Sequence, residues 1–510
     1  MPSDDFTLVL TTREKDWWWS LQEITRAIEN VWANIARFEE QSVRTLCVPI
    51  PPDMERSLEA GVARIKCVVI TNVTPATVRV ALRLRTQMTT PAPMILYVQG
   101  DSTEGFHAYG ELKNSLTESD LFITSCEAEA FATRCSFPSA RVSVIPFPLV
   151  DQFKIAGGKS PVQAAQTRLA YIGRVSTQKN LHTLLFAMWI LHTVRGYTPR
   201  VTLDVYGGED NLGSPNMGLE SPNYGAYLRR LSTSLGLADV VTWHGLKPRD
   251  WLFYDVHQEP HVLVSPTLHS DENFGSSVLA SLVNGHQVVA TAWGGHLEFQ
   301  GWFSRQLTLV PVHRSTMGPV VHPGLLASAI RAATKGVAST VEDATLEAAR
   351  AEFSEISVTA RTVAALRLRG QQPAPLEISD TQHLIDERRA LFGGGRKIYT
   401  AYDDPIAQIF FEAYGMREPL VFDEHSRYIL APWVSCSGRT VLIDDPHRGQ
   451  QTIESEASTS NHRDAVICPS MEMCRIPDDL LKKLVAQGYA FSLTEDHSSI
   501  SSAPSGSINC

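Results

Sequence analysis

The chain has no apolar run long enough to be a membrane helix. Its most apolar helical stretch, Leu184 to Leu191, is flanked by His182 and His192 and falls far short of the ~20 residues that a bilayer core requires. Cysteine is sparse: eight in 510 residues, at positions 47, 67, 126, 135, 436, 468, 474 and 510, without the density of a small disulfide-framed secreted domain. Cys468 and Cys474 have no second pair or histidine cluster near them at zinc-ligand spacing, so scattered reduced thiols are expected and a metal site is not. An excess of positive charge is absent too. With 45 basic against 55 acidic side chains the formal net charge is −10, which repels a phosphate polyanion and excludes nucleic acid as a main partner. The N-terminus, Met1-Pro2-Ser3-Asp4-Asp5, lacks the basic-then-apolar layout of a secretory signal, and a cytoplasmic location is expected. No internal repeat of fixed period is found.

What is present is the composition of a globular protein, 43% hydrophobic and 20% charged, in a chain too long for one core, so two or three domains are expected. Short β-branched runs alternate with helical patterns at Val43–Val48, Cys67–Thr71, Met94–Val98, Leu121–Thr124 and Val142–Ile145, the rhythm of a parallel sheet covered by helices. Ahead of them Ser20-Leu21-Gln22-Glu23 fits a capping box, and Leu21, Ile24, Ile28, Val31, Ile35 and Phe38 recur at helical spacing, which predicts an amphipathic helix starting near Ser20. After a Gly-Gly-Lys-Ser-Pro stretch at 157–161 of linker composition, the rhythm restarts with strands at Arg168–Ile172, Leu203–Tyr206, Val240–Trp243, His261–Val264 and Val288–Thr291. The pattern beyond Pro323 is helical to about Leu368, where Gly370-Gln371-Gln372-Pro373-Ala374-Pro375 breaks it. The expected division is therefore an α/β domain over 1–155, a second over 165–370 with closing helices, a small α/β appendix over 371–492 and a disordered Ser-rich tail over 493–510.

Two constellations carry chemistry. In Tyr171-Ile172-Gly173-Arg174-Val175-Ser176-Thr177-Gln178-Lys179-Asn180 an apolar strand runs into Gly-Arg, a polar turn, a lysine and a helix. A diphosphate needs cations and free backbone N–H groups, and such a turn offers both. Alone, the Gly-Arg pair reads more readily as solvated loop charge. The second constellation shifts the balance: Ser265-Pro266-Thr267-Leu268-His269-Ser270-Asp271-Glu272-Asn273-Phe274-Gly275-Ser276-Ser277-Val278-Leu279 places a carboxylate, a glycine and two small hydroxyl residues at the start of an apolar helix. Val288-Val289-Ala290-Thr291-Ala292-Trp293-Gly294-Gly295 then forms a buried strand ending in two glycines. The layout sets an acidic side chain beside a helix N-terminus that can bind an anion.

On these residues, with Glu298 after the glycine pair, the chain resembles a retaining GT-B glycosyltransferase of the large class known as family four or group one. Supporting likenesses are Val205-Tyr206-Gly207-Gly208, Val241-Thr242-Trp243-His244-Gly245, Ser119–Ser125 and Val144-Ile145-Pro146 to Asp151. The resemblance is strong over 168–299, fair over 115–167 and weak elsewhere. It implies two Rossmann-like domains facing a cleft, with the donor in the second and the acceptor in the first. Residue by residue it implies that Arg174, Lys179 and Glu272 serve catalysis, the two cations holding the donor diphosphate while Glu272 meets the sugar. Gly173, Gly245, Asn273, Phe274, Gly275 and Ser276 would line the donor site, and Asp101 and His107 the acceptor side. The implied reaction moves a sugar from a nucleotide-diphosphate sugar to a glycan, a lipid-linked glycan or another polysaccharide precursor, with retention and without a metal or other cofactor. A peripheral membrane or partner-protein contact fits the same class.

The sequence departs from the family at three points. A second Glu usual eight residues after the first is Ala280 here, and an alanine cannot accept a hydrogen bond from a ribose hydroxyl, which leaves Ser281 or Asn284 to do so. The Gly-rich loop after strand one is replaced by Thr11-Thr12-Arg13-Glu14-Lys15, and a customary His-Asp pair reads Gln99-Gly100-Asp101. His107 reads equally as a surface histidine without a role. Trp17-Trp18-Trp19 reads as an aromatic platform for an acceptor or, since no basic face accompanies it, as an apolar anchor at a helix start. These departures keep open a non-catalytic GT-B subunit or chaperone that recognises a partner glycosyltransferase or glycan, and a sugar phosphorylase or sugar-phosphate synthase of the same fold.

Overall fold

The computed structural model describes residues 5–13, 19–99, 112, 115–137, 140–149, 168–198, 200–210, 223–248, 256, 261–269, 272–335, 343–368, 411–437, 440–446, 449–455, 462–467 and 473–493. The linker expected at 157–161, Trp17 and Trp18 and the Ser-rich tail lie outside them.

The first sheet is parallel and six-stranded: β1 (Phe6–Thr12), β2 (Ser42–Val48), β3 (Ile65–Ile70), β4 (Met94–Tyr97), β5 (Leu121–Thr124) and β6 (Arg141–Val144), in the order β2-β1-β3-β4-β5-β6. Strands β1, β4 and β5 are buried at every position, as a sheet covered on both faces demands. One cover is the predicted amphipathic helix, Trp19–Phe38, which buries Ile24, Ile28, Val31 and Ile35 along one stripe at the 3.6-residue period. The Trp32 indole N–H in that stripe donates to the Tyr97 hydroxyl at 3.2 Å.

The second sheet is also parallel and six-stranded: β7 (Arg168–Ile172), β8 (Thr202–Tyr206), β9 (Val241–Gly245), β10 (Val262–Ser265), β11 (Gln287–Thr291) and β12 (Leu307–Val310), in the order β12-β11-β10-β7-β8-β9. This is the doubly wound order of dinucleotide-binding folds, with the first strand beside the fourth. The two Rossmann-like units expected of a GT-B chain are present.

The chain divides into one unit of residues 1–154, 273–276 and 343–389 and another of 155–272, 277–342 and 390–510. The division differs from the expected one in two ways. Helices Asp343–Glu352 and Glu355–Arg367 pack with the first sheet, not the second: Asn30 donates to Glu355 at 2.9 Å, Arg141 to the Ala365 carbonyl at 3.2 Å, and Arg367 pairs with Glu39 at 2.8 Å. The described part of the region beyond 410, expected as an appendix, packs into the second unit.

That packing explains the most apolar helix of the chain. Leu181–Trp189 is buried at every residue, and a helix apolar all round needs cover on all sides. The C-terminal region supplies it: Trp433 meets the rings of His182 at 5.0 Å and Phe186 at 6.1 Å, and Phe491 meets Phe186 at 6.2 Å. Strand β13 (Val312–Ser315) forms a hairpin with β14 (Gly318–Val321) and pairs in parallel with β15 (Met416–Pro419). Two further small sheets follow, β16 (Tyr428–Leu430) with strands Ala490–Ser492, His462–Ile467 and Met473–Pro477, and a meander over Val434–Glu454. No helix among the described residues is long and apolar enough to cross a membrane.

Candidate functional site

In the second sheet β7 lies beside β10, and the order runs outward in opposite directions from that pair. Ligands of open α/β sheets bind outside the carboxyl ends of the strands at such a switch point. Both predicted constellations leave the sheet there.

Strand β7 leads into Gly173 and Arg174. The Gly173 N–H donates to the Tyr206 carbonyl at 3.0 Å and that of Val175 to Gly208 at 2.9 Å. A Cβ on Gly207 would lie 1.7 Å from the Gly173 carbonyl oxygen, so only a glycine permits this close approach. The tight turn Thr177–Lys179 ends at Asn180 with φ of +58°, a left-handed conformation that asparagine tolerates. Its side chain donates to the Pro266 carbonyl at 3.0 Å and accepts from the Thr183 hydroxyl at 2.6 Å, and the Leu268 N–H reaches the Gln178 carbonyl at 3.0 Å. The lysine-bearing turn is thereby fastened along the segment that leaves β10.

The fastening brings Lys179 onto Glu272, where ammonium and carboxylate form an ion pair with side chains only 16% and 12% exposed. Arg174 pairs with Asp210, an acid that follows the Gly207-Gly208 step out of β8. Burial, the largest influence, would raise the Glu272 carboxyl, but the charge and hydrogen bond of Lys179 together with the nearby His296 and His269 outweigh it and hold the group at about 2. Burial pushes the Tyr171 phenol up, and its hydroxyl donates to the Arg174 carbonyl at 2.6 Å. His269 is held well below the ordinary imidazole range, first by burial and then by the cations of Lys179 and Arg174. The electrostatic reach of both cations and of Glu272 to His269 places all of them in one cluster.

The glycine turn after β11 completes the cluster. The Gly295 N–H donates to the Glu272 carbonyl at 2.7 Å, and the Trp293 indole N–H to the His269 carbonyl at 2.8 Å. His296 is fully buried, with Nδ1 3.2 Å from the Thr291 carbonyl. A carbonyl only accepts, so Nδ1 carries the proton and Nε2 is a bare acceptor. That Nε2 has no hydrogen-bond partner among the described residues, and burial holds the ring below its ordinary range while Glu272 opposes.

The expected donor-binding residues divide. Gly173 belongs to the cluster. Gly245, with φ of +67°, sits at the end of β9, where its carbonyl accepts from Gly207 at 3.0 Å, two strands from β7. Asn273, Phe274, Gly275 and Ser276 follow Glu272 directly but pack with the first unit. There the Ser125 hydroxyl donates to the Asn273 carbonyl at 2.7 Å and Phe274 meets Phe147 at 5.5 Å. Gly275, at φ of +83°, turns the chain into helix Ser276–Val283. Asp101 and His107 lie outside the described residues.

Ala280 is fully buried on that helix, and so is Ser281, whose hydroxyl has no partner among the described residues. Asn284 spends its amide on the Ala280 carbonyl at 2.8 Å. Sequence reasoning missed Asp210, His269, Tyr171 and His296 as parts of the cluster. Asp210 follows a recognised strand-to-glycine step and His296 the glycine pair, while Tyr171 and His269 stand inside the two constellations without a residue-type signal for a role.

Residues 157–305 match the family described as glycosyl transferases group 1. No curated protein matches the chain. Among solved structures it is similar to HepE of Anabaena in complex with UDP, at 14% identity and a TM-score of 0.48 over 71% of this chain and 100% of that one. It is similar to WaaG, a glycosyltransferase involved in lipopolysaccharide biosynthesis, at 14% identity and a TM-score of 0.45 over 72% and 100%. Sucrose-phosphate synthase of Thermosynechococcus elongatus is 20% identical with a TM-score of 0.44 over 64% and 83%. The cluster of Arg174, Lys179 and Glu272 thus lies within residues 157–305, the segment that is similar to the glycosyl transferases group 1 family.

Proposed function

We propose that the protein transfers a sugar from a nucleotide-diphosphate sugar to a glycan or lipid-linked glycan, with retention and without a metal ion. The observation that carries this reading is the largely shielded Lys179–Glu272 pair beside Arg174 at the switch point of the second sheet. A departing nucleotide diphosphate gathers negative charge on its oxygens, and preorganised cations in a water-poor site stabilise that charge. Arg174 and Lys179 fill this role, and each is held ready by a carboxylate that the diphosphate displaces. Paired with Lys179, Glu272 is ionised throughout the neutral range, and its carboxyl oxygens accept hydrogen bonds from sugar hydroxyls. His296 Nε2 offers an uncharged acceptor in the same cluster. The leaving phosphate takes the proton of the attacking hydroxyl, so no carboxylate pair is needed.

The test is donor hydrolysis and transfer with a panel of nucleotide sugars. Arg174→Ala with Lys179→Ala is expected to lower turnover by ~100-fold or more, and full activity in that double variant overturns the reading. A second reading, a non-catalytic subunit that recognises a partner glycosyltransferase or glycan, is favoured by one observation: the position where the family places a ribose-binding Glu is the fully buried Ala280. Calorimetry with UDP, GDP and ADP separates the two, since micromolar binding of one supports the enzyme and binding of none supports the subunit.

A further inference from the structure

The residues that fasten the glycine turn of the site come from far outside the segment that carries the family match. Gly294 donates its N–H to the Tyr414 carbonyl at 2.8 Å. The Tyr414 and Phe411 rings lie against Trp293, with centroids 5.5 and 5.9 Å away. A Cβ on Gly294 would come within 2.2 Å of the Glu272 carbonyl oxygen and 2.9 Å of the Tyr414 ring. Gly294 is therefore pressed between the residue that bears the site's carboxylate and the C-terminal strap. Gly415, at φ of +107°, runs so close that a Cβ there would lie 2.5 Å from the Ala292 carbonyl oxygen. On its other side the turn holds Glu272 through the Gly295 N–H at 2.7 Å and His269 through the Trp293 indole at 2.8 Å.

We infer that Tyr414 is a positioning residue for Glu272: by gripping Ala292–Gly295 from behind, the strap around Tyr414 and Gly415 fixes the backbone from which the carboxylate reaches Lys179. The physical reason is packing. Gly294 and Gly295 carry no side chains of their own to hold the turn, and glycine costs the most backbone entropy to order. The Tyr414 ring supplies the missing wall, and the hydrogen bond from Gly294 sets the register. The 157–305 segment is thus incomplete without residues near 414. The consequence for ligand binding rests on the donor-site reading above; the consequence for the Lys179–Glu272 pair does not.

Two measurements on the full chain keep those apart. The first is the coupling between Lys179 and Glu272, taken from urea unfolding of Lys179→Met, Glu272→Gln and the double variant. It is expected to vanish in a Tyr414→Ala background and to persist in Tyr414→Phe, which keeps the ring. A purely structural Tyr414 would lower the unfolding midpoint of the Ala variant and leave the coupling intact, and that result overturns the inference. The second is the affinity for whichever of UDP, GDP and ADP the wild type binds, expected to fall about tenfold in Tyr414→Ala and to recover in Tyr414→Phe. If the wild type binds none, the donor reading fails while the coupling still decides the role of Tyr414. Should Tyr414→Ala not fold, Gly415→Ala, whose methyl pushes the strap off Ala292, replaces it with the same expectations.

Discussion

At the scale of the residue, the cluster depends on charges that are costly to leave alone. Lys179 and Glu272 are each mostly shielded from water, and removal of one partner strands the other in a poor solvent for ions. Lys179→Ala is expected to lower stability by about 3 kcal/mol. Adding Glu272→Gln should restore much of that, because a neutral amide in the same place needs no counter-ion. Chemical denaturation of the two variants checks this, and an equal loss in both would show that the pair contributes packing rather than charge. Donor binding is expected to stay lost in both. The sequence made Arg174, Lys179 and Glu272 legible because their residue types stand at strand-to-loop steps. It did not reveal Asp210 or His296, since nothing in one dimension tells that a guanidinium meets the acid beyond the next strand or that an imidazole turns inward beneath a glycine pair.

At the scale of the element, the helix Leu181–Trp189 shows how a local pattern acquires its reason from a distance. It is apolar on every face, and the C-terminal strands cover the face that the parallel sheet leaves open. Phe491→Ala removes a fully packed ring from that cover and is expected to cost about 3–5 kcal/mol, read from the shift of the urea midpoint with the slope unchanged. A loss below about 1 kcal/mol would mean that the C-terminal region is only loosely seated. Ten of the twelve strands of the two large sheets were legible as short apolar runs, with observed bounds within two residues of the expected ones, whereas Phe6–Thr12 and Leu307–Val310 were not among those runs. The hairpin Val312–Val321 was not legible either, because its short polar-interrupted strands draw their partner, Met416–Pro419, from about a hundred residues further on.

At the scale of the whole molecule, buried histidines set the acid limit. His322 is held at about 3, by burial first and then by His313 and Arg195, and His192 at about 4, by burial and Arg200. His269 and His296 are lowered as well. The His322 Nδ1 accepts the Gly324 N–H at 3.1 Å at the start of helix Pro323–Lys335, a bond that a protonated nitrogen cannot accept. A depressed pKa means that the unfolded chain takes up protons that the folded one refuses. Stability is therefore present above the unfolded histidine value of about 6.5 and lost as the pH falls through the range below it. Glu272 adds to the loss only below its unfolded value, about 4.5, and down to about 2. The melting temperature is expected to drop steadily from pH 7 to pH 5, and His322→Asn, which preserves a capping acceptor, should flatten that slope. A melting temperature constant over this range would contradict the buried neutral state.

The sequence by itself determined the two-sheet α/β architecture and marked Arg174, Lys179 and Glu272 at strand-to-loop steps, because burial on both faces of a parallel sheet and the demands of strand-to-helix turns are written in short windows of residue type. Only the tertiary structure decided that helices 343–367 return to the first unit, that the C-terminal region builds itself into the second, and that Tyr414 backs the glycine turn beside Glu272. Those outcomes turn on the packing of faces that no local window contains, since an apolar surface specifies that it must be covered but not by which segment of the chain.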